Sequence, residues 1–346
     1  LSIKSGLGSL FVAAAVLSVI ASSGVLAQDD HIHARHRYEF GLWADMPYLP
    51  GDESTKLPAL IEDMNDEHLA FTIFAGDTKS GSTQCTDAII IERARNMFNA
   101  TEAPTVYTPG DNEWTDCHRI NNGGHNNLER LAKIRTELFT ETSSFGQKTM
   151  GLQHQGAPGE AYSENTRWIY GDVVFAAIHV PGSNNNKTSP ADCPAANSVR
   201  TAEDCTADNV EYAARDAANI AWLQETFAIA RDRGAVGVLI AIQADMWFDL
   251  PETPVNERES PTADGFNSFL ATLVAETKNF EGQVVLAHGD THFFKVDKPL
   301  ESPNNLLENL TRVQTFGEGR VHWVKVTVDP NSRNVFVFEP MIVPGN

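Results

Sequence analysis

Apolar residues recur along this chain with two periods. Compact apolar runs at Tyr38 to Ala44, Leu69 to Ala75, Thr105 to Thr108, Val173 to Val180, Ala235 to Ile242 and Val284 to Ala287 read as buried strands. Between them, apolar residues at three- and four-residue intervals predict helices over Leu57 to Leu69, Asp87 to Phe98, Asn127 to Leu138, Val210 to Ala230 and Ala263 to Thr277. Such alternation argues for an α/β domain with a largely buried sheet. The end of the chain changes character: Val321 to Val328 and Val335 to Phe338 alternate with period two around Asp329-Pro330-Asn331. They predict a hairpin, so antiparallel strands finish a mixed sheet.

Residues 1–27 read as a targeting segment, in which Lys4 precedes the apolar run Leu10 to Ile20 and Val25-Leu26-Ala27 precedes Gln28. The run is short for a bilayer, so cleavage after Ala27 is expected, leaving no stable membrane span and a secreted or extracytoplasmic protein. A flexible His-rich arm is expected over 28–36, including His31, His33 and His36, followed by a single domain over 37–346. Within that domain, stretches near 142–165 and 183–208 read as surface insertions.

Export makes disulfides permissible. Of the three pairings open to four cysteines, Cys85 with Cys117 and Cys193 with Cys205 is favoured, and no pair has a zinc-ligand spacing. With 26 basic and 46 acidic residues, formally −20, the chain opposes sequence-independent binding to nucleic acid. Asn99-Ala-Thr101, Asn186-Lys-Thr188 and Asn309-Leu-Thr311 fit the glycosylation acceptor pattern, which matters only on a eukaryotic secretory route.

The polar residues that follow the apolar runs are the informative ones. Asp45, Asp77, Asp111 with Asn112, Gln243 and Asp290 each follow a predicted strand, with glycine beside several of them. In an open α/β sheet the ligand crevice lies beyond the carboxyl ends of the strands, so side chains distant in sequence meet there. Singly, each Asp reads as a turn or cap former. Together, several carboxylates repel unless a cation compensates them.

The order Trp43-Ala-Asp-Met-Pro47, Gly76-Asp77, Gly110-Asp-Asn-Glu113, Gln243 and Gly289-Asp-Thr-His292 resembles the calcineurin-like metallophosphoesterases, over nearly all of the chain after the leader. More closely, Thr108 to Arg119, Gly182 to Asn185, Gln243 to Met246 and His288 to His292 resemble a poorly characterised exported branch of that superfamily. The resemblance implies an αββα sandwich holding two metals bridged by Asp77. One position would take Asp45, Asp77 and His292; the other would take Asp77, Asn112, Gln243 and Asp290.

Pro47, Glu113, Gln243 and Asp290 stand where the family carries histidines. An imidazole-poor second position favours Mn²⁺, Mg²⁺, Ca²⁺ or iron over Zn²⁺. Glu113 is the candidate acid or base in place of a histidine, and His118 and Arg119 are candidates for holding an anionic group. The implied function is hydrolysis of a small phosphate mono- or diester by metal-activated water. The alternative is an inactive descendant that binds a ligand, a metal or a surface partner. His179 reads as a hydrogen-bonded core residue, and His288 as a support for the site from behind. Oligomeric state is not encoded in any pattern here.

Overall fold

A computed structural model describes residues 36–246, 264–302 and 305–346 of the chain. The leader, nearly all of the His-rich arm and the first residue of the last predicted helix lie outside the described residues. Five strands form one sheet in the order β14 (Phe336–Met341), β13 (Trp323–Val328), β1 (Tyr38–Trp43), β2 (Thr72–Phe74) and β3 (Thr105–Tyr107). Seven strands form a second sheet in the order β4 (Gln153–His154), β5 (Thr166–Tyr170), β6 (Val173–Ala177), β7 (Gly237–Ala241), β8 (Gln283–His288), β12 (Leu310–Gln314) and β9 (Lys295–Asp297). A small antiparallel pair, β10 (Leu300–Ser302) and β11 (Asn305–Leu306), stands apart.

Successive residues in a strand face opposite sides of its sheet, and each central strand here is apolar on both. Leu42 and Ile73 meet Phe175, Leu239 and Val285 in the core between the sheets. Their neighbours Trp43 and Phe74 instead face α1 (Lys56–Asp66), a π-helical turn (Ala88–Arg93) continuing into α2 (Ala94–Asn99), and α3 (Asn127–Leu138). Val174, Val238, Ile240 and Leu286 face α4 (Ala202–Arg233) and α5 (Asn267–Lys278) through Leu223, Phe227, Phe269 and Leu273. The result is the αββα sandwich expected from the motifs, with mixed sheets and the predicted antiparallel β13–β14 pair registering Val326 on Phe338. The contacts gather the described residues into one compact unit. No helix among the described residues is long and apolar enough to cross a membrane.

Some elements differ from the sequence pattern for identifiable reasons. Helix α4 begins at Ala202, not Val210, because Thr201 and Asp204 form a capping box that extends the helix into the expected insertion. Strands β5 and β12 were not apparent as apolar runs because they carry Arg167, Arg312 and Gln314 inward. Both arginines have partners: Arg167 is bonded to Gln153 and stacked on buried Trp222, and Arg312 is paired with Asp297. The disulfides are Cys85–Cys117 and Cys193–Cys205, with Cα separations of 5.8 and 6.3 Å, as the favoured pairing had it. The first ties the loop after β2 to the one after β3.

Candidate functional site

The carboxyl ends of β1, β2, β3, β6, β7 and β8 meet at one edge of the sandwich. Backbone bonds fasten their loops together: Asp45 N–H donates to Gly76 O at 3.0 Å, Gln243 N–H to Val180 O at 3.2 Å, and Gly289 N–H to Gln243 O at 3.1 Å. Asp45, Asp77, Asp290 and His292 all have positive φ, from 54° to 80°. Left-handed backbone is uncommon for residues with a Cβ and costs roughly 1–2 kcal/mol each. Strain of this kind persists where surrounding structure over-determines it, most often at functional sites. Two glycines let the loops close: a Cβ at Gly110 would collide with Asp77 Oδ1, and one at Gly289 with Asp45 Oδ2.

Asp77 is the hub. Its Oδ1 accepts from Asn112 N–H at 3.0 Å, and its Oδ2 accepts from Asn112 Nδ2 at 2.6 Å, Tyr48 OH at 2.7 Å and Gln243 Nε2 at 3.3 Å. Asp45 accepts from the backbone N–H of Asp290 with both oxygens at 3.1 Å and from Tyr48 OH at 3.4 Å. His292 Nε2 stands 3.7 Å from Asp45 Oδ1, with its ring edge-on to Tyr48. Asp290 Oδ2 accepts from Asp245 N–H at 2.9 Å, and its carboxylate shares the space beside Gly182 with that of Asp111. All six residues named as metal ligands therefore gather at this edge.

Of the other candidates, Glu113 lies behind Asp77, and His118 and Arg119 lie to one side. Glu113 is fully buried, and its two oxygens accept from Thr78 N–H at 2.5 Å and Gly110 N–H at 3.1 Å, so it fastens the β2 and β3 loops to each other. Arg119 is partly exposed and paired with Asp116 at 2.7 Å. His118 Nδ1 bonds Ser198 Oγ at 2.8 Å, at the rim of a polar cavity of about 900 Å³ that Arg119 and Arg200 also line. Burial, then Arg200 and Arg119, holds His118 down to about 4, so it is neutral at pH 7.

Sequence reasoning missed Tyr48, Lys79, Ser183 and Arg215. Tyr48 lies three residues after Asp45, and a side chain so placed at a strand-end turn was the only available signal. Lys79 is fully buried next to Asp77 and Glu113, with Nζ on Ser80 O at 3.0 Å; burial depresses its pKa while the neighbouring acids oppose that. Ser183 Oγ reaches both Asp111 Oδ2 and Asp116 Oδ1 at 2.8 Å. It belongs to a run, Ser183 to Asn186, in which every φ is positive, between 49° and 60°. The run is thus a left-handed turn. Arg215, fully buried, holds it from α4 by donating to Asn185 Oδ1 and Asn185 O at 2.5 and 2.9 Å.

Burial first, then mutual repulsion among Asp111, Glu113, Asp45 and Asp290, drives the Asp77 carboxyl well above the ordinary range. Asp45 moves the same way, from burial foremost, against the opposing hydrogen bond from Asp290. Asp116 rises to about 7 through burial and the charge of Asp111.

The donor set tests whether two metals fit. Asn112 and Gln243 would have to offer oxygens to a cation, yet both turn amide nitrogens onto Asp77. The orientation of Gln243 is fixed because its Oε1 accepts from Gly182 N–H at 2.5 Å. The Tyr48 hydroxyl stands between Asp45 and Asp77, where the other position would lie. Among the described residues, no three His, Cys, Asp or Glu side chains converge closely enough to hold a metal. These residues, as arranged, do not fit a two-metal centre.

Two buried networks brace the site. His179 donates from Nδ1 to Glu164 at 2.9 Å and accepts at Nε2 from Trp114 Nε1 at 3.0 Å, which makes it the core residue expected and ties it to the β3 loop. Behind β8, His288 Nδ1 lies 2.9 Å from Gly289 O, while Asp245 binds Thr291 at 2.7 Å and Arg312 at 3.4 Å. His288 therefore backs the last loop and stays out of the centre.

No family model matches the sequence, and no curated protein does. Distant solved structures do. GAP50, described as the anchor in the inner membrane complex of Plasmodium, is 10% identical over 90% of both chains with a TM-score of 0.46. A 5'-nucleotidase from Candida albicans is 11% identical over 87% of this chain and 50% of its own, with a TM-score of 0.41. The sulfate thiohydrolase SoxB of Thermus thermophilus, solved with glycerol, is 13% identical over 83% of this chain and 42% of its own, with a TM-score of 0.40. At these values they transfer neither ligand nor activity. The class of the chain, an αββα sandwich with a strand-end acidic site, rests on its own topology.

Proposed function

We propose that this chain is a binding protein built on a phosphoesterase-like scaffold that no longer carries out two-metal hydrolysis. One observation carries the reading: the Asp77 carboxylate, which would bridge two metals, is filled by four protein donors, namely Asn112 N, Asn112 Nδ2, Tyr48 OH and Gln243 Nε2. Hydrolysis on this scaffold needs cations to activate water and to stabilise charge on phosphorus. Here the protein's own donors occupy the lone pairs that those cations would use. The carboxylates still meet, on strained backbone, but they meet protein protons. Two disulfides fit an oxidising compartment.

The test uses purified full chain, elemental analysis, and hydrolysis of p-nitrophenyl phosphate and bis(p-nitrophenyl) phosphate with added Mn²⁺ or Mg²⁺. Substoichiometric metal and no turnover above that of Asp77→Ala are expected. Two bound metals per chain, with turnover that Asp77→Ala abolishes, would restore the phosphoesterase reading.

A further inference from the structure

Three Asn-x-Thr triplets occur in the chain, at Asn99, Asn186 and Asn309, and the fold treats them differently. An N-glycan replaces a hydrogen on Nδ2 and needs open solvent beyond it, so a glycosylated asparagine must be exposed and must have its amide nitrogen free.

Asn186 meets neither condition. It is 1% exposed, closes the left-handed run beside Ser183, donates to Glu211 Oε2 at 3.4 Å and accepts from Asn127 Nδ2 at 3.4 Å. Asn309 is half-buried, and its Nδ2 is shared among three backbone carbonyls: Thr277 O at 3.0 Å, Phe280 O at 2.9 Å and Gly282 O at 3.1 Å. These bonds hold the end of α5 against the start of β8 and β12, and a glycan there would take one of the two hydrogens that serve them.

Asn99 meets both conditions. It is the last residue of α2 and is exposed; its Oδ1 accepts from Gly146 N–H at 3.2 Å, which orients the side chain, and its Nδ2 makes no hydrogen bond among the described residues. It precedes β3, at the amino ends of the strands, whereas the acidic site lies past their carboxyl ends. A glycan at Asn99 therefore stands clear of Asp45, Asp77 and their partners. It stands beside the groove between α1 and α2 that Leu57, Ile61, Met97 and Ala100 line.

We infer that, when the chain passes through a eukaryotic secretory route, Asn99 is its N-glycosylation site and the folded protein carries no glycan at Asn186 or Asn309. The inference is independent of whether the acidic site binds metal or turns over substrate.

The experiment is secretion of the full chain from mammalian cells, enzymatic release of N-glycans in heavy-oxygen water, and peptide mass spectrometry to find asparagines converted to labelled aspartate. Asn99 alone is expected to be labelled, and Asn99→Gln is expected to secrete without any glycan while keeping the wild-type circular dichroism. Asn99→Asp serves as the second variant should Asn99→Gln secrete poorly. Thr101 is left intact, because its buried hydroxyl bonds Phe98 O at 2.8 Å and Thr105 Oγ1 at 2.6 Å, so replacing it would confound folding with acceptor loss. Label at Asn186 or Asn309 in soluble protein, or its absence from Asn99, would overturn the assignment.

Discussion

Tyr48→Phe is the sharpest perturbation of the proposed site, because it removes one oxygen and leaves the ring. The hydroxyl donates to Asp77 Oδ2 at 2.7 Å, lies 3.4 Å from Asp45 Oδ1, and accepts from Asn112 Nδ2 at 2.9 Å. A hydrogen bond contributes about 0.5–1.5 kcal/mol net and more to a charged partner, and Asp77 Oδ2 keeps Asn112 and Gln243 as donors, so a loss of about 1–2 kcal/mol is expected. For a folded unit of this size, with an unfolding entropy of about 2.1 cal/mol/K per residue, that is a fall in Tm of about 2–3 °C.

The same substitution removes the hydroxyl that stands between Asp45 and Asp77, beside His292. A divalent cation should then stabilise the variant more than the parent. A cation at about a hundred times its Kd adds about 2.7 kcal/mol, enough to lift the variant past its metal-free parent. Calorimetric melting with and without Mn²⁺ or Mg²⁺ measures both effects. A parent stabilised by the cation as strongly as Tyr48→Phe would refute the view that this hydroxyl stands in for a metal.

Replacing Arg215 by Met keeps bulk but strips Asn185 O and Oδ1 of their donor and breaks the pair with Glu211, whose carboxylate can turn to solvent. At about 1–3 kcal/mol for each orphaned group, a loss of about 2–6 kcal/mol in urea unfolding is expected, less what the left-handed run regains by relaxing. A loss below about 1 kcal/mol would mean that the run holds itself. Acid should also weaken the fold through His179, which burial holds down to about 4 against an ordinary 6.5. The unfolded chain takes up that proton first, so the contribution is whole above pH 6.5 and is lost as pH falls toward 4, about 3 kcal/mol in all. Urea midpoints of wild type and His179→Gln across that window should converge as the pH falls; parallel curves would show that burial and the Trp114 bond to Nε2 do not select the neutral ring.

The sequence by itself determined the layers. Two-sided apolar runs such as Val284 to Ala287 require a sheet covered on both faces, and the three- and four-residue spacing of α1 and α3 supplies the cover. It also placed each acid at a strand end, because Asp45, Asp77 and Asp290 follow apolar runs directly, and cysteine number with spacing favoured the two disulfides that formed. Strands β5 and β12 were hidden because a buried arginine is tolerable only when its partner is known, and Asp297 and Trp222 are partners that tertiary contact alone supplies.

The site divides in the same way. Local pattern brought Asp77, Asn112 and Gln243 to one edge, since strand direction and loop position are encoded nearby in the chain. Which atom of each amide faces Asp77, and that Tyr48 reaches between two carboxylates, depends on hydrogen bonds between residues 64 and 166 positions apart. Hydrogen-bond direction is set by every donor and acceptor that surrounds a group, so only the assembled fold decided whether these carboxylates face cations or the protein's own protons.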